Sequence, residues 1–370
     1  MRNQTSRSFS SERGFTLTEL MISTAILLLV TGTALGTFRN AMNMTDMATQ
    51  FADANQNLRA GSNQMVKDIM QAGRIIGPEG IPVPNGAGAQ APRRPGPPGT
   101  SLMFDVTTTT NLPDITSGQH LGPIVRGSST DVITLMTVDP FMPTIETPPS
   151  GSTNPNEGTI APSGASVTLP ATSLWLVGDP ASDTPPVHVG DLVLFKNPRG
   201  MAIQTITRVD GTHIYFDAND WFNFNQRNAP QGTVMQIKDT TSTSTAWVEK
   251  TSLFRVMMIT YYVDAVTTPT APRLMRVVNN YTPQALAGVI EDLDFTYDLV
   301  DGVNNPVEIP NLPYTDSTAG VTYNANQIRK VNVHIGVRSE SISRVTNDYV
   351  RNHISTSVDV RSLASVDRYV

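Results

Sequence analysis

Cysteine is absent from the 370 residues, which excludes disulfides, thiolate metal sites and cysteine nucleophiles. A domain exported from the cell on this chain has to stay folded without cross-links. Charge is also scarce, at 16% of residues, and the balance is −6. No long basic run occurs, so the electrostatic footprint of a nucleic-acid binder is missing and nucleic acid is not an expected partner of the body of the chain. Phosphate-binding, zinc-protease, serine-hydrolase and dinucleotide signatures are all lacking. The five histidines, His120, His188, His213, His334 and His353, are scattered. No catalytic residue, metal site or cofactor is expected, and the chain does not read as an enzyme.

Much of what is present is glycine (26) and proline (27), together with many threonines, serines and asparagines. That mixture suits turn-rich β structure. At the N-terminus, a polar stretch carrying Arg2, Arg7 and Arg13 gives way abruptly to an apolar run of 24 residues, Phe15 to Phe38. As a helix at ~1.5 Å per residue this run extends ~36 Å, enough to cross a hydrocarbon core of ~30 Å. The arginines before it place the N-terminus in the cytoplasm and the rest of the chain across the membrane. One charge interrupts the run, Glu19. A charged side chain at the centre of a membrane helix costs at least ~2.5 to 3.5 kcal/mol, so Glu19 calls for a partner; the bland alternative is that it snorkels to the headgroups. Gly32 and Gly36 form a G-x-x-x-G pair that serves either close helix packing or local flexibility.

From Arg39 to Gly73 there is no proline, and Met44, Ala48, Phe51, Leu58, Met65, Ile69 and Ala72 recur at spacings of threes and fours. This predicts a continuous helix whose seam packs on the exported domain or on neighbouring subunits. Gly73 suits its C-terminal cap. Gly77 to Thr100 is dense in proline and glycine and contains Arg93 and Arg94; it reads as a mobile, solvated loop, dispensable to the fold. Pro140 to Gly164 reads the same way. Strands are expected at 131–138, 191–195, 202–207, 213–216, 256–263, 272–278, 286–297 and 329–337. Glu291, Asp292, Asp294, Asp298 and Asp301 read as a solvated rim, with calcium as the other reading. Trp221, Phe222 and Phe224 read as core or subunit contact before a sugar platform.

The segment Arg13-Gly14-Phe15-Thr16-Leu17-Thr18-Glu19-Leu20-Met21-Ile22 resembles the class III leader and first helix of type IV prepilins and pseudopilins. Further resemblance to PilW-type minor pilins is carried by Asn57 to Ala60, Lys67 to Gly73, Val189 to Leu194 and Ala287 to Tyr297. The likeness implies a pilin-like α+β fold, with a long N-terminal helix on a large, mainly antiparallel β domain. It divides the chain into a leader (1–14, with Arg13 as its last charge), a membrane helix (15–38), an amphipathic continuation (39–76), the loop (77–100) and the exported domain (101–370). It also implies cleavage between Gly14 and Phe15 by a prepilin peptidase, N-methylation of Phe15, and pairing of Glu19 with the new amine of a neighbouring subunit. The partners implied are other minor pilins, the major pilin, an inner-membrane assembly platform and lipid. The expected role is to prime or cap a type IV pilus from the inner membrane, with the β domain exported and, from its size, placed at the tip. The rivals are a J-like pseudopilin of a type II secretion system and a tip adhesin or DNA-uptake pilin.

Overall fold

The computed structural model describes residues 14–104, 110–147, 156–238, 247 and 250–364. Leader residues 1–13, including Arg13, and residues 148–155 of the second Pro/Gly-rich stretch lie outside the described residues. The fold is α+β: one long N-terminal helix and a large antiparallel β domain.

The helix, α1, runs from Leu17 to Gln71, 55 residues without a proline. It stops where Ala72 turns extended (ψ 139°) and Gly73 enters the left-handed region (φ 76°). There the Gly73 N–H leaves the helix ladder and donates to the Met136 carbonyl, 2.8 Å away. A Cβ on Gly73 would come within 2.4 Å of Asp114 Oδ2, so only glycine fits this exit. The buried positions of α1, Leu58, Gly61, Ser62, Met65, Asp68 and Ile69, fall at helical spacing on one face. The C-terminal half of the expected seam therefore packs on the exported domain, and Ser62 belongs to it. Met44 and Phe51, from the other half, stay exposed in the single chain.

Nine of the 23 strands among the described residues frame the two sheets that meet α1: β1 (Ile133–Val138), β2 (Leu192–Asn197), β3 (Gly200–Thr205), β4 (Thr251–Asp264), β5 (Arg273–Val278), β6 (Gln284–Ala287), β7 (Ile290–Leu299), β8 (Ile328–Ile342) and β9 (Tyr349–Asp359). The main sheet has the order β3-β2-β4-β5-β6, with β1 also paired to β4. The 14-residue β4 is its spine. Its Leu253, its Val256 with Met258, and its Ile259 with Tyr261 enter three different hydrophobic clusters. In β2 the two-residue strand period splits the burial: Val193 and Phe195 face the cluster around Trp175, while Leu192 and Leu194 face the one around Phe222 and Phe224. The second sheet is β7-β8-β9. The buried stripe of α1 joins Leu293, Phe295, Val331 and Ile335 of this sheet and Leu135 and Ile259 of the main sheet in the largest cluster. Each fully buried Leu, Met or Ile of that stripe contributes about 1.5 to 3 kcal/mol.

The expectation of a mobile, solvated loop at 77–100 is corrected. The segment is mostly irregular, yet Ile81, Val83, Pro84, Asn85, Pro92, Pro95 and Pro97 are buried. Ile81 and Pro82 pair with Leu112 and Asn111, Arg93 and Arg94 pair with Met103 and Leu102, and the Arg93 N–H donates to the Phe222 carbonyl at 2.9 Å. Proline excludes the helix but not burial, and its fixed φ lowers the entropy lost on packing. Removing this segment would uncover the cluster around Phe222 and Phe224, so its deletion is expected to lower the thermal midpoint of the chain.

Asp114, against the helix exit, is 3% exposed, and neither carboxyl oxygen has a hydrogen-bond partner. Burial pushes its carboxyl up to about 7. Burial likewise raises Asp131, and burial followed by the charge of Asp292 brings Asp294 to about 6. Asp114 and Asp294 keep protons in the folded state that the unfolded chain releases near pH 4, and Asp131 is shifted in the same direction. The sign is therefore loss of stability as pH rises from about 4 to about 7, with Asp114 contributing on the order of 4 kcal/mol. Urea unfolding of the detergent-solubilised chain is expected to show greater stability at pH 5 than at pH 8, with a flatter profile for Asp114→Asn. A wild-type profile that rises over that window would refute this assignment.

Candidate functional site

The site is the start of α1. Thr16 is extended (φ −77°, ψ 149°) and caps the helix. Its backbone N–H donates to Glu19 Oε2 at 3.0 Å, its hydroxyl donates to the same oxygen at 2.8 Å, and the Glu19 N–H reaches back to Thr16 Oγ1 at 3.3 Å. This is a capping box, and it satisfies donors that a helix end otherwise leaves open. Thr16-x-x-Glu19 ahead of an apolar run is its sequence signature, so Thr16 was readable as a partner of Glu19 and was overlooked. Among the described residues only Oε2 is engaged; no hydrogen bond reaches Oε1. The carboxylate is anchored on one oxygen and open on the other.

Around this box the surface is apolar. Phe15 is 85% exposed, and every large apolar residue from there to Phe38 is exposed as well. The helix passes the length and hydropathy test for a membrane span, with mean hydropathy 1.8 and none of the window buried. Thr24, Thr33 and Thr37 turn their hydroxyls onto carbonyls of their own helix, Leu20 and Met21, Val30, and Thr33 respectively. This leaves few free polar donors for a hydrocarbon environment. Gly14, ahead of the cap, has nothing within 4 Å of its Cβ position, so the Gly14–Phe15 peptide is reachable. Gly32 and Gly36, four apart on one face, are equally open.

The family described as the prokaryotic N-terminal methylation motif matches residues 9–35. The motif supports a pilin-type protein. It covers Gly14, Phe15, Thr16, Glu19 and Gly32, and stops short of Gly36. Such a leader implies processing by a prepilin peptidase and partnership with other pilus components, and with the exposed apolar helix it is consistent with membrane anchoring. Comparison of the chain with curated proteins and with solved structures found no match.

Other residues noted in the sequence lie elsewhere on the chain. Glu291 is not part of a solvated rim: its side chain is 8% exposed and ion-paired to Arg126 (2.9 Å), Arg351 (2.9 Å) and Arg338 (3.4 Å). Asp301 ties its own loop, accepting from the N–H groups of Val303 and Asn304 and from the Tyr323 hydroxyl. Among the described residues no group of three His, Asp or Glu is gathered for a metal. Phe222 and Phe224 are core, and Trp221 is partly exposed beside them. Of the histidines, His334 and His353 come together, with ring centroids 5.7 Å apart on β8 and β9.

Proposed function

We propose that this chain is a minor pilin, most similar to the PilW type, that works by assembly and not by catalysis. It inserts in the inner membrane with the N-terminus cytoplasmic and the β domain periplasmic, is cut between Gly14 and Phe15, and joins other minor pilins to prime or cap a type IV pilus. The observation that carries this reading is Glu19: it is the one charge between Phe15 and Phe38, and its half-anchored carboxylate stands within the matched motif. The new α-amine of a processed neighbour has a pKa near ~7.7 to 8.0, so it is mostly cationic at neutral pH and a fitting counter-charge for the open oxygen. Gly32 and Gly36 would let a neighbouring helix approach. The bulk of the β domain suits a filament tip better than a repeating shaft.

Mass spectrometry of the chain from peptidase-competent cells is expected to find a mature N-terminus at methylated Phe15. An intact leader would sink the proposal. The J-like pseudopilin and the tip adhesin or DNA-uptake pilin share the same processing, so partner identity separates the first of them. Co-purification from native membranes is expected to recover minor pilins and the major pilin; secretion-system pseudopilins in their place would favour that rival.

A further inference from the structure

A cleft of about 620 Å³ opens where the 77–100 segment meets the strand Ile115–Thr116 and the loop at Asn311–Pro313. Its size is that of a small-ligand site. Val83, Phe104, Leu112, Leu121, Leu312 and Pro313 give it apolar walls, and one cation lines it, Arg94. That side chain is unusual for this molecule. Arg94 is only 4% exposed, yet it makes no ion pair among the described residues. Arg255 is buried and Arg276 and Arg338 are largely so, and each faces a carboxylate: Asp191 at 2.9 Å, Asp68 at 2.6 Å and Glu291 at 3.4 Å.

The bonds Arg94 does make account for one nitrogen. Nη1 donates to the Thr116 and Ser117 carbonyls at 3.4 and 3.2 Å; among the described residues Nε has no partner and no hydrogen bond engages Nη2. The Phe104 ring, 5.9 Å away, offers a weak cation–π contact. Burial brings the guanidinium down to about 10, so it stays cationic at neutral pH. The Tyr297 hydroxyl, coupled electrostatically to Arg94, and the Thr116 hydroxyl that lines the cleft are also buried without partners. Among the described residues this buried cation has no counter-charge, and a bound anion would supply one.

We infer that this cleft binds an organic carboxylate with an apolar body, the carboxylate meeting Arg94 and the body filling the walls. A phosphate fits less well. One guanidinium cannot balance a dianion; among the described residues no second cation lines the cleft, and the acid that does, Glu79, is exposed and repels excess negative charge. The same carboxylate could be carried by a small free acid or by the C-terminus of a peptide ending in an apolar residue. The inference concerns the β domain alone and stands whether or not the chain assembles into a pilus.

The test is isothermal titration calorimetry of the full chain in detergent with 3-phenylpropionate, 3-phenylpropanamide, acetyl-Leu-Phe with a free carboxylate, its C-terminal amide, and sulfate. Saturable binding of at least one carboxylate, at least tenfold tighter than its amide and than sulfate, is expected. A tighter dipeptide assigns the site to chain termini, and a tighter phenylpropionate to free acids. Arg94→Gln should lose at least tenfold in affinity while its urea midpoint reports that it is folded. Met103→Glu adds a carboxylate at a half-exposed lining position and should weaken binding by a similar factor without touching the core. If Arg94→Gln does not fold, Met103→Glu decides. No saturable binding, equal binding of acid and amide, or unchanged affinity in Met103→Glu would each overturn the inference.

Discussion

Replacing Asp68 by alanine is expected to destabilise the chain by about 3 to 5 kcal/mol, measured by urea unfolding of the detergent-solubilised protein. Asp68 sits on the buried stripe of α1 and is 6% exposed. Its Oδ2 accepts from Arg276 Nε and from the Tyr261 hydroxyl, both at 2.6 Å, and Oδ1 accepts from Gln64 at 3.1 Å. Burial first, and the Asp68 charge second, raise the Tyr261 hydroxyl well above its ordinary range, so it donates at every working pH. The alanine variant leaves Arg276 in place, largely buried and without its counter-charge, and that orphaned cation is the source of the cost. Removing both charges, as Asp68→Leu with Arg276→Met, is expected to recover most of the loss, because a buried ion pair is seldom better than a packed apolar pair. A single variant within 1 kcal/mol of wild type would show that α1 is held by apolar burial alone.

The second large effect is functional. Glu19→Ala is expected to be processed normally and to lower incorporation into sheared filaments at least tenfold, read by immunoblot in a strain that depends on this subunit. Breaking a buried pair costs ~3 to 5 kcal/mol, because the partner amine stays buried and uncompensated. Alanine also removes the capping box, so the charge and the cap are separated by Glu19→Gln: glutamine keeps the reciprocal bonds with Thr16 and lacks the charge. If pairing with an amine is what matters, glutamine behaves like alanine. Wild-type assembly of the glutamine variant would reassign Glu19 to capping.

The parts of the fold with strong local signals were readable from sequence. The proline-free stretch up to Gly73 became one helix, and the β-branched runs at 131–138 and 256–263 became β1 and the C-terminal part of β4. β9 was missed because Asn352, Ser355, Ser357 and their neighbours leave it half-solvated on a sheet edge, with Val358 alone fully buried. The 77–100 segment was misjudged for another reason. Proline and glycine report backbone shape, whereas the burial of Ile81 and Arg94 depends on residues over a hundred positions away, such as Phe222. The same distance hid the three arginines around Glu291. At the candidate site the identity of Glu19 was plain from its isolation. Its bond to Thr16 was local enough to find, and only the free Oε1 needed coordinates.

The fully buried positions of α1 begin at Leu58, about 40 residues after the helix starts. Contact with the β domain begins earlier, at Gln50 and Ala54, so at ~1.5 Å per residue roughly 50 Å of rod precedes it. A tensile load applied to that rod along its axis reaches the β domain in shear. Leu58, Met65 and Ile69 have to slide together, and the Asp68–Arg276 bond has to break in the same event, where peeling would take them one by one. The geometry makes this junction a parallel fastening, strongest along the axis of α1.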